Sequence, residues 1–201
     1  MRHWLFVMSY LFEPIILASA SPRRAELLRD AFIPFEVCPS HAEEIKNSDC
    51  TAAFLVKKNA LLKAMDVAKQ YPSRLVLGAD TIVYRKGKLY GKPMNRHDAE
   101  RMLEELQGKM HQVITGVALL CLDEGVKRVF DVVTDVEFKS LSLKQIDEYI
   151  DLANPLDMAG AYGIQIYGGL IIEKIRGSYS NVVGLPLDEL REVLDELKKR
   201  F

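Results

Sequence analysis

The sequence predicts an α/β fold. Strand-like and helix-like stretches alternate along it with short connections, the pattern of helices layered on a sheet. Its 201 residues are 49% hydrophobic, enough to bury a good core as one domain of two lobes, and no internal repeat or low-complexity linker interrupts them.

Taken in order, Ile15-Ile16-Leu17-Ala18 reads as a short buried strand. Ser21 before Pro22 reads as an N-cap followed by proline at the first helical position, and Leu27, Leu28 and Ala31 give that helix its apolar face. From Thr51 to Gln70, Ala53, Val56, Ala60, Ala64 and Val67 keep helical spacing until Tyr71-Pro72 ends it. Lys58 lies opposite that stripe and Lys63 on its border. Leu75-Val76-Leu77 predicts a strand, Gly78-Ala79-Asp80 a break, and Thr81 to Tyr84 a second strand before the Arg85-Lys86-Gly87-Lys88 turn. Asn95 caps a helix whose face is Ala99, Met102, Leu103 and Leu106, and Gly108 stops it. Val113 to Leu122 and Val132 to Phe138, joined through Asp123-Glu124-Gly125, predict a largely antiparallel pair. Ser142 with Gln145 forms a capping box for a helix that buries Ile146, Tyr149, Ile150 and Ala153 and ends at Asn154-Pro155. A glycine-rich loop from Gly160 to Gln165 then leads through Gly168-Gly169 into a strand from Leu170 to Ile175. Gly177 to Pro186 predicts a second loop, before a final helix faced by Leu190, Val193, Leu194 and Leu197.

The sharpest functional signal is a conflict in the first helix. Arg23 and Arg24 put two cations in a first turn whose dipole repels them, at a cost of about 0.3–1 kcal/mol each. Free N–H groups at a helix start favour an anion, so adjacent arginines there fit a phosphate; the plainer alternative is two side chains reaching into water. Asp80 ends an apolar run, where an unpaired carboxylate would cost several kcal/mol, so it must be hydrogen-bonded, metal-bound or at a cleft mouth. Glu43-Glu44 adds a second acidic site, and one or two carboxylates suffice for a hard divalent cation that also bridges substrate phosphates. Lys92, stiffened by Pro93, suits a fixed cation aimed at a phosphate oxygen or a plain surface turn. Gln165 offers a donor and an acceptor together, either to read a base edge or to brace its own loop.

Composition excludes other classes. A net charge of −1 gives no global field for nucleic acid or a membrane surface. Cys38, Cys50 and Cys121 are odd in number and widely spaced, which argues against a disulfide framework or structural zinc and for a reducing cytoplasm. His41, His97 and His111 lack zinc-helix spacing, and no nucleophile elbow or Walker loop occurs. Arg2, the apolar Leu5 to Phe12 and Ala18-Ser19-Ala20 imitate a secretory signal, but Glu13-Pro14 interrupts it. Residues 1–13 are therefore expected to be an N-terminal extension to a domain over 14–201, and no stretch reaches the roughly 20 apolar residues of a membrane span.

Ile16 to Ser21 with Pro22-Arg23-Arg24, Lys63-Ala64, Gly78 to Thr81, Gly91-Lys92-Pro93, Ala159 to Gln165, and Gly177-Ser178-Tyr179 with Val182 to Pro186 together resemble the Maf family of nucleoside triphosphate pyrophosphatases. The resemblance implies the Maf/Ham1 (ITPase-like) fold: a twisted mixed sheet with flanking helices forming two lobes around a central cleft. Within the family, Arg23-Arg24, Ala79-Asp80-Thr81 and Tyr162 to Gln165 resemble the branch acting on dTTP and UTP rather than that associated with 7-methyl-GTP. By resemblance Asp80 is the catalytic proton acceptor, and Arg23, Thr81 and Gln165 govern substrate choice. Ser19, Ser21, Arg24, Lys63 and Lys92 complete the substrate-binding set, while Glu44 and Asp80 hold a Mg²⁺ or Mn²⁺ ion. Met158 departs from the pattern, standing where a basic residue is usual after Asp157, and His41-Ala42 replaces a more acidic run before Glu44. The family further implies a cytoplasmic homodimer that cleanses the nucleotide pool, with a link to arrest of cell division that would need only nucleotide binding.

Overall fold

The computed structural model describes residues 13–46 and 50–199; of the expected extension over 1–13, all but Glu13 lies outside them. Strand β1 (Ile15–Leu17) is wholly buried and leads into helix α1 (Pro22–Asp30), then strand β2 (Phe35–Val37). Helix α2 (Ala52–Ala68) opens at Thr51, whose side chain accepts the Phe54 N–H. A long strand β3 (Val76–Arg85) turns into β4 (Lys88–Tyr90). Helix α3 (Arg96–Leu106) is capped by Asn95, as expected, through the Asp98 N–H. Strands β5 (Met110–Cys121) and β6 (Val126–Phe138) form the antiparallel pair the sequence predicts. Helix α4 (Leu143–Ala153) carries the full Ser142/Gln145 capping box and ends where Asn154 turns left-handed. Two short 3₁₀ turns (Pro155–Asp157, Ala159–Ala161) precede α5 (Gly168–Ile171), β7 (Ile172–Arg176), α6 (Tyr179–Val183) and α7 (Leu187–Lys198).

The strands join in one mixed sheet ordered β2-β1-β3-β5-β6-β7, with β4 paired to β3. β1 runs parallel to β2 and β3, and the other pairings are antiparallel. Two cores occupy opposite ends of the long strands. At one end Leu77 and Ala79 of β3 and Val117 and Leu119 of β5 pack with Leu28 of α1 and Leu190 of α7. At the other, Val83 and Val113 pack with Leu103, Tyr149 and Tyr162. On the reverse face Ala60, Ala64 and Val67 of α2 cover Ile16, Val76, Ala118 and Leu120. Each fully buried leucine contributes about 1.5–3 kcal/mol, so these cores hold the long strands firmly on both sides of their midpoint.

Three expectations are corrected. Gly78-Ala79-Asp80 is no break: β3 runs through it with regular pairing from Val76 to Tyr84 opposite β5. Gly78 is there because a helix lies on it; a Cβ at this position would sit 2.3 Å from the Ala60 carbonyl oxygen, and one at Gly116 2.4 Å from the Val56 carbonyl carbon. The expected strand from Leu170 begins only at Ile172, because Leu170-Ile171 belongs to a single helical turn that buries Ile171 in the second core. An apolar run does not by itself separate these two outcomes. The expected loop from Gly177 to Pro186 contains the short helix α6, capped by Ser178 through the Asn181 N–H.

Candidate active site

Strand geometry sends successive side chains to opposite faces, so Asp80 and Thr81, at the middle of β3, anchor two different clusters. Asp80 faces α2. The two bare glycines let that helix settle onto the sheet, and its residues Asn59 and Lys63, one turn apart, reach the carboxylate together. Lys63 Nζ donates to Asp80 Oδ1 at 2.8 Å, and Asn59 Nδ2 to Asp80 Oδ2 at 3.1 Å. Lys63 also pairs with Glu44 Oε1 at 2.7 Å, so two carboxylates from separate segments converge on one ammonium. The Lys63 and Asp80 side chains are only 13% and 14% exposed. Partial burial works to raise the Glu44 carboxyl, but the bond and charge of Lys63, with Lys92 and Arg24 beyond, hold it below the usual carboxylate range. Glu43 is exposed, and its neighbour Glu44 is the acidic residue engaged here.

Thr81 faces the other way and meets Arg24. The Arg24 guanidinium, 8% exposed, donates to Ser19 Oγ (3.0 Å), Thr81 Oγ1 (3.0 Å) and the Gly184 carbonyl (2.8 Å). Thr81 Oγ1 also lies 3.0 Å from Thr115 Oγ1, and Thr115 donates to the Asn181 carbonyl. Burial pulls the Arg24 guanidinium below its ordinary value. Ser21 stands at the N-cap with extended backbone, but its side chain caps nothing; its own N–H donates to Ser19 Oγ. Arg24 thus bonds Ser19, Thr81 and Gly184 at once, tying the start of α1, mid-β3 and the residues before α7 into one knot.

Arg23, on the exposed side of α1, donates to the Asp157 carbonyl at 2.9 Å and lies 3.9 Å from its carboxylate, which also takes Lys92. Met158 does not extend this charged rim: it is buried, its sulfur packed beneath Gly163. Gln165 sits exposed on a turn that is braced from below. Tyr149, fully buried, accepts the Gly163 N–H at 3.1 Å and donates to the Ile166 carbonyl, while Tyr162 shares a 2.8 Å hydrogen bond with His111. Burial pushes His111 down to about 4 and Tyr149 up to about 12, so both stay neutral near pH 7.

The arrangement gathers Asp80, Lys63 and Glu44 at one point, adds Arg23 and Lys92 on Asp157 at a rim, and holds Arg24, Ser19 and Thr81 in a separate buried knot. Its cations suit a polyanion. Two hard oxygens meeting at one point suit a magnesium-like ion that completes its coordination with water and substrate phosphates. Among the described residues there is no group of three or more His, Cys, Asp or Glu that could hold a metal ion. Sequence reasoning missed Asn59, Asp157 and Tyr149. The one available signal was the four-residue spacing of Asn59 and Lys63; Tyr149 reads simply as core.

The chain matches the model of the Maf-like protein family over residues 14–197. It is 46% identical over 181 residues to the dTTP/UTP pyrophosphatase of Desulforamulus reducens, covering 90% of this chain and 95% of that one. It is 43% identical over 187 residues to that of Clostridioides difficile (93% and 95%) and 46% identical over 186 residues to that of Gloeobacter violaceus (92% and 97%). Among solved structures, a HAM1 protein from Coxiella burnetii aligns with a TM-score of 0.40 at 19% identity, over 62% of this chain and 72% of that chain.

Proposed function

We propose that this chain, which belongs to the Maf-like protein family, is a nucleoside triphosphate pyrophosphatase that hydrolyses dTTP and UTP, with modified uridine triphosphates, to the monophosphate and pyrophosphate. Relatives named for that activity match 90–93% of it at 43–46% identity. The observation that carries the chemistry is the convergence of Asp80 and Glu44 on Lys63 at 2.8 and 2.7 Å.

In this reading a water attacks the α-phosphorus: its oxygen forms the new P–O bond, the bond to the bridging α–β oxygen breaks, and pyrophosphate leaves. Asp80 accepts the water's proton, using lone pairs left over by Lys63 and Asn59, which fix the carboxylate's direction beforehand. Lys63, Lys92 and Arg23 neutralise phosphate oxygens; the last two do so by exchanging Asp157 for substrate. Glu44 and Asp80 would hold a Mg²⁺ or Mn²⁺ ion, which supplies Lewis-acid charge stabilisation when bound. Gln165 reads the pyrimidine edge. Arg24, Ser19 and Thr81 act by fixing the turn that presents Arg23, and Ser21 offers its place at the helix start to a phosphate. The family resemblance adds a cytoplasmic homodimer. No helix among the described residues is long and apolar enough to cross a membrane.

The test is to incubate the protein and its Asp80→Asn variant with Mg²⁺ or Mn²⁺ and a panel of canonical and modified triphosphates, resolving products by chromatography. Pyrophosphate release from dTTP or UTP, reduced about 10²- to 10⁴-fold in the variant, is expected. Equal turnover by the variant, or preference for 7-methyl-GTP, would overturn the reading.

A further inference from the structure

We propose that Asn59 is a positioning residue, which straps the segment carrying Glu44 to helix α2 and orients Asp80 with the same amide. Asn59, Lys63 and Asp66 lie at i, i+4 and i+7, a single face of α2. The segment over residues 38–46 runs along that face in the opposite direction. Asp66 Oδ2 accepts Ser40 Oγ and the His41 N–H, each at 2.8 Å. Lys63 takes Glu44. Asn59 then closes the strap on both backbone groups of the next residue: its Oδ1 accepts the Ile45 N–H at 2.8 Å and its Nδ2 donates to the Ile45 carbonyl at 3.1 Å.

Lys63 also reaches both the strap and Asp80, through the Glu44 side chain; Asn59 alone of the three bonds the strap's backbone together with Asp80. Its Nδ2 carries two hydrogens; one goes to Ile45 O and the other to Asp80 Oδ2. The flipped amide would aim an oxygen at a carboxylate, so the network admits one orientation. At 3% exposure the side chain has little access to water as a substitute partner. A planar group with every hydrogen committed therefore fixes Asp80 relative to the backbone beside Glu44. An aspartate would lose both donations and set a second carboxylate against Asp80; a leucine would fill the space and bond nothing.

This inference rests on the hydrolase reading for its kinetic arm. The experiment compares Asn59→Leu with wild type in three ways: kcat and KM for dTTP, amide exchange at Ile45, and a double-mutant cycle with Glu44→Gln. Loss of positioning predicts a fall in kcat of about 10²-fold with KM changed by less than about 3-fold. Exchange of the Ile45 N–H should accelerate at least about 10-fold. In the Glu44→Gln background the further loss should shrink to about 3-fold or less. A role in packing alone would lower the melting temperature while leaving kcat per folded molecule intact or the two losses additive, and either result overturns the proposal. An inactive wild type would sink the hydrolase reading instead, and unchanged Ile45 exchange in Asn59→Leu would then still refute the strap.

Discussion

Two adjacent residues of one strand, Asp80 and Thr81, open onto clusters built on opposite principles. On the α2 face, two carboxylates share one ammonium, and Glu44 keeps nearly half its side chain in solvent. Their lone pairs outnumber the donors that meet them. On the other face, Arg24 has each of its three named bonds closed onto Ser19, Thr81 or Gly184 within the protein interior. The first cluster keeps carboxylate lone pairs open beside solvent, whereas the second commits the Arg24 Nε and one hydrogen of each terminal nitrogen to partners within the fold. Polar residues that stand side by side in sequence therefore enter separate networks according to strand parity.

Replacing Lys63 by methionine strikes the open cluster hardest. Two carboxylates would face each other without their shared cation, so in the proposed reaction kcat/KM should fall about 10²- to 10³-fold. The Glu44 titration, followed by NMR, gives an independent reading. Burial raises this carboxyl and Lys63 lowers it, with the lowering dominant. The tie therefore adds stability above the ordinary carboxylate range and loses it as the pH falls through the depressed folded value. In the methionine variant the Glu44 titration should move up; a titration that stays depressed would assign the effect to another cation.

Arg24→Leu tests the closed cluster. It removes the only named donor to the Gly184 carbonyl apart from the 3.5 Å contact of Thr81 and should cost on the order of 3 kcal/mol in chemical denaturation. An unchanged midpoint with a raised KM would make Arg24 a phosphate ligand and erase the contrast between the faces.

Much of this was legible in the sequence where a local rule is strong. The caps at Asn95 and Ser142 and the border position of Lys63 follow from spacing, and Asp80 announces itself as a charge in an apolar run. The parity of Asp80 and Thr81 was hidden by Gly78, because a glycine in a strand looks like an interruption until the helix lying on it is seen. Asn59 resembles any polar residue on a helix, since its value comes from a segment 14 residues upstream. Arg24 reads locally as half of a phosphate pair, and no spacing rule could announce its bond to the Gly184 carbonyl 160 residues away.

The smallest effects belong to the Gln165 loop, which combines both principles: an exposed amide above tyrosines hydrogen-bonded in the interior. In the proposed role Gln165→Ala would remove one hydrogen bond to the base and should lower kcat/KM for dTTP and UTP about 10-fold. Tyr149→Phe leaves Gln165 in place and removes the hydroxyl that joins Gly163 N–H to the Ile166 carbonyl around it. Its cost, about 1–3 kcal/mol, should fall mostly on stability, with kcat/KM changed about 3-fold. If the hydroxyl serves recognition by aiming the turn, that 3-fold should vanish once Gln165 is alanine, because nothing is left to aim. A Tyr149→Phe loss that persists undiminished in the Gln165→Ala background would mean that the turn contacts substrate through its backbone, with the glutamine as bystander.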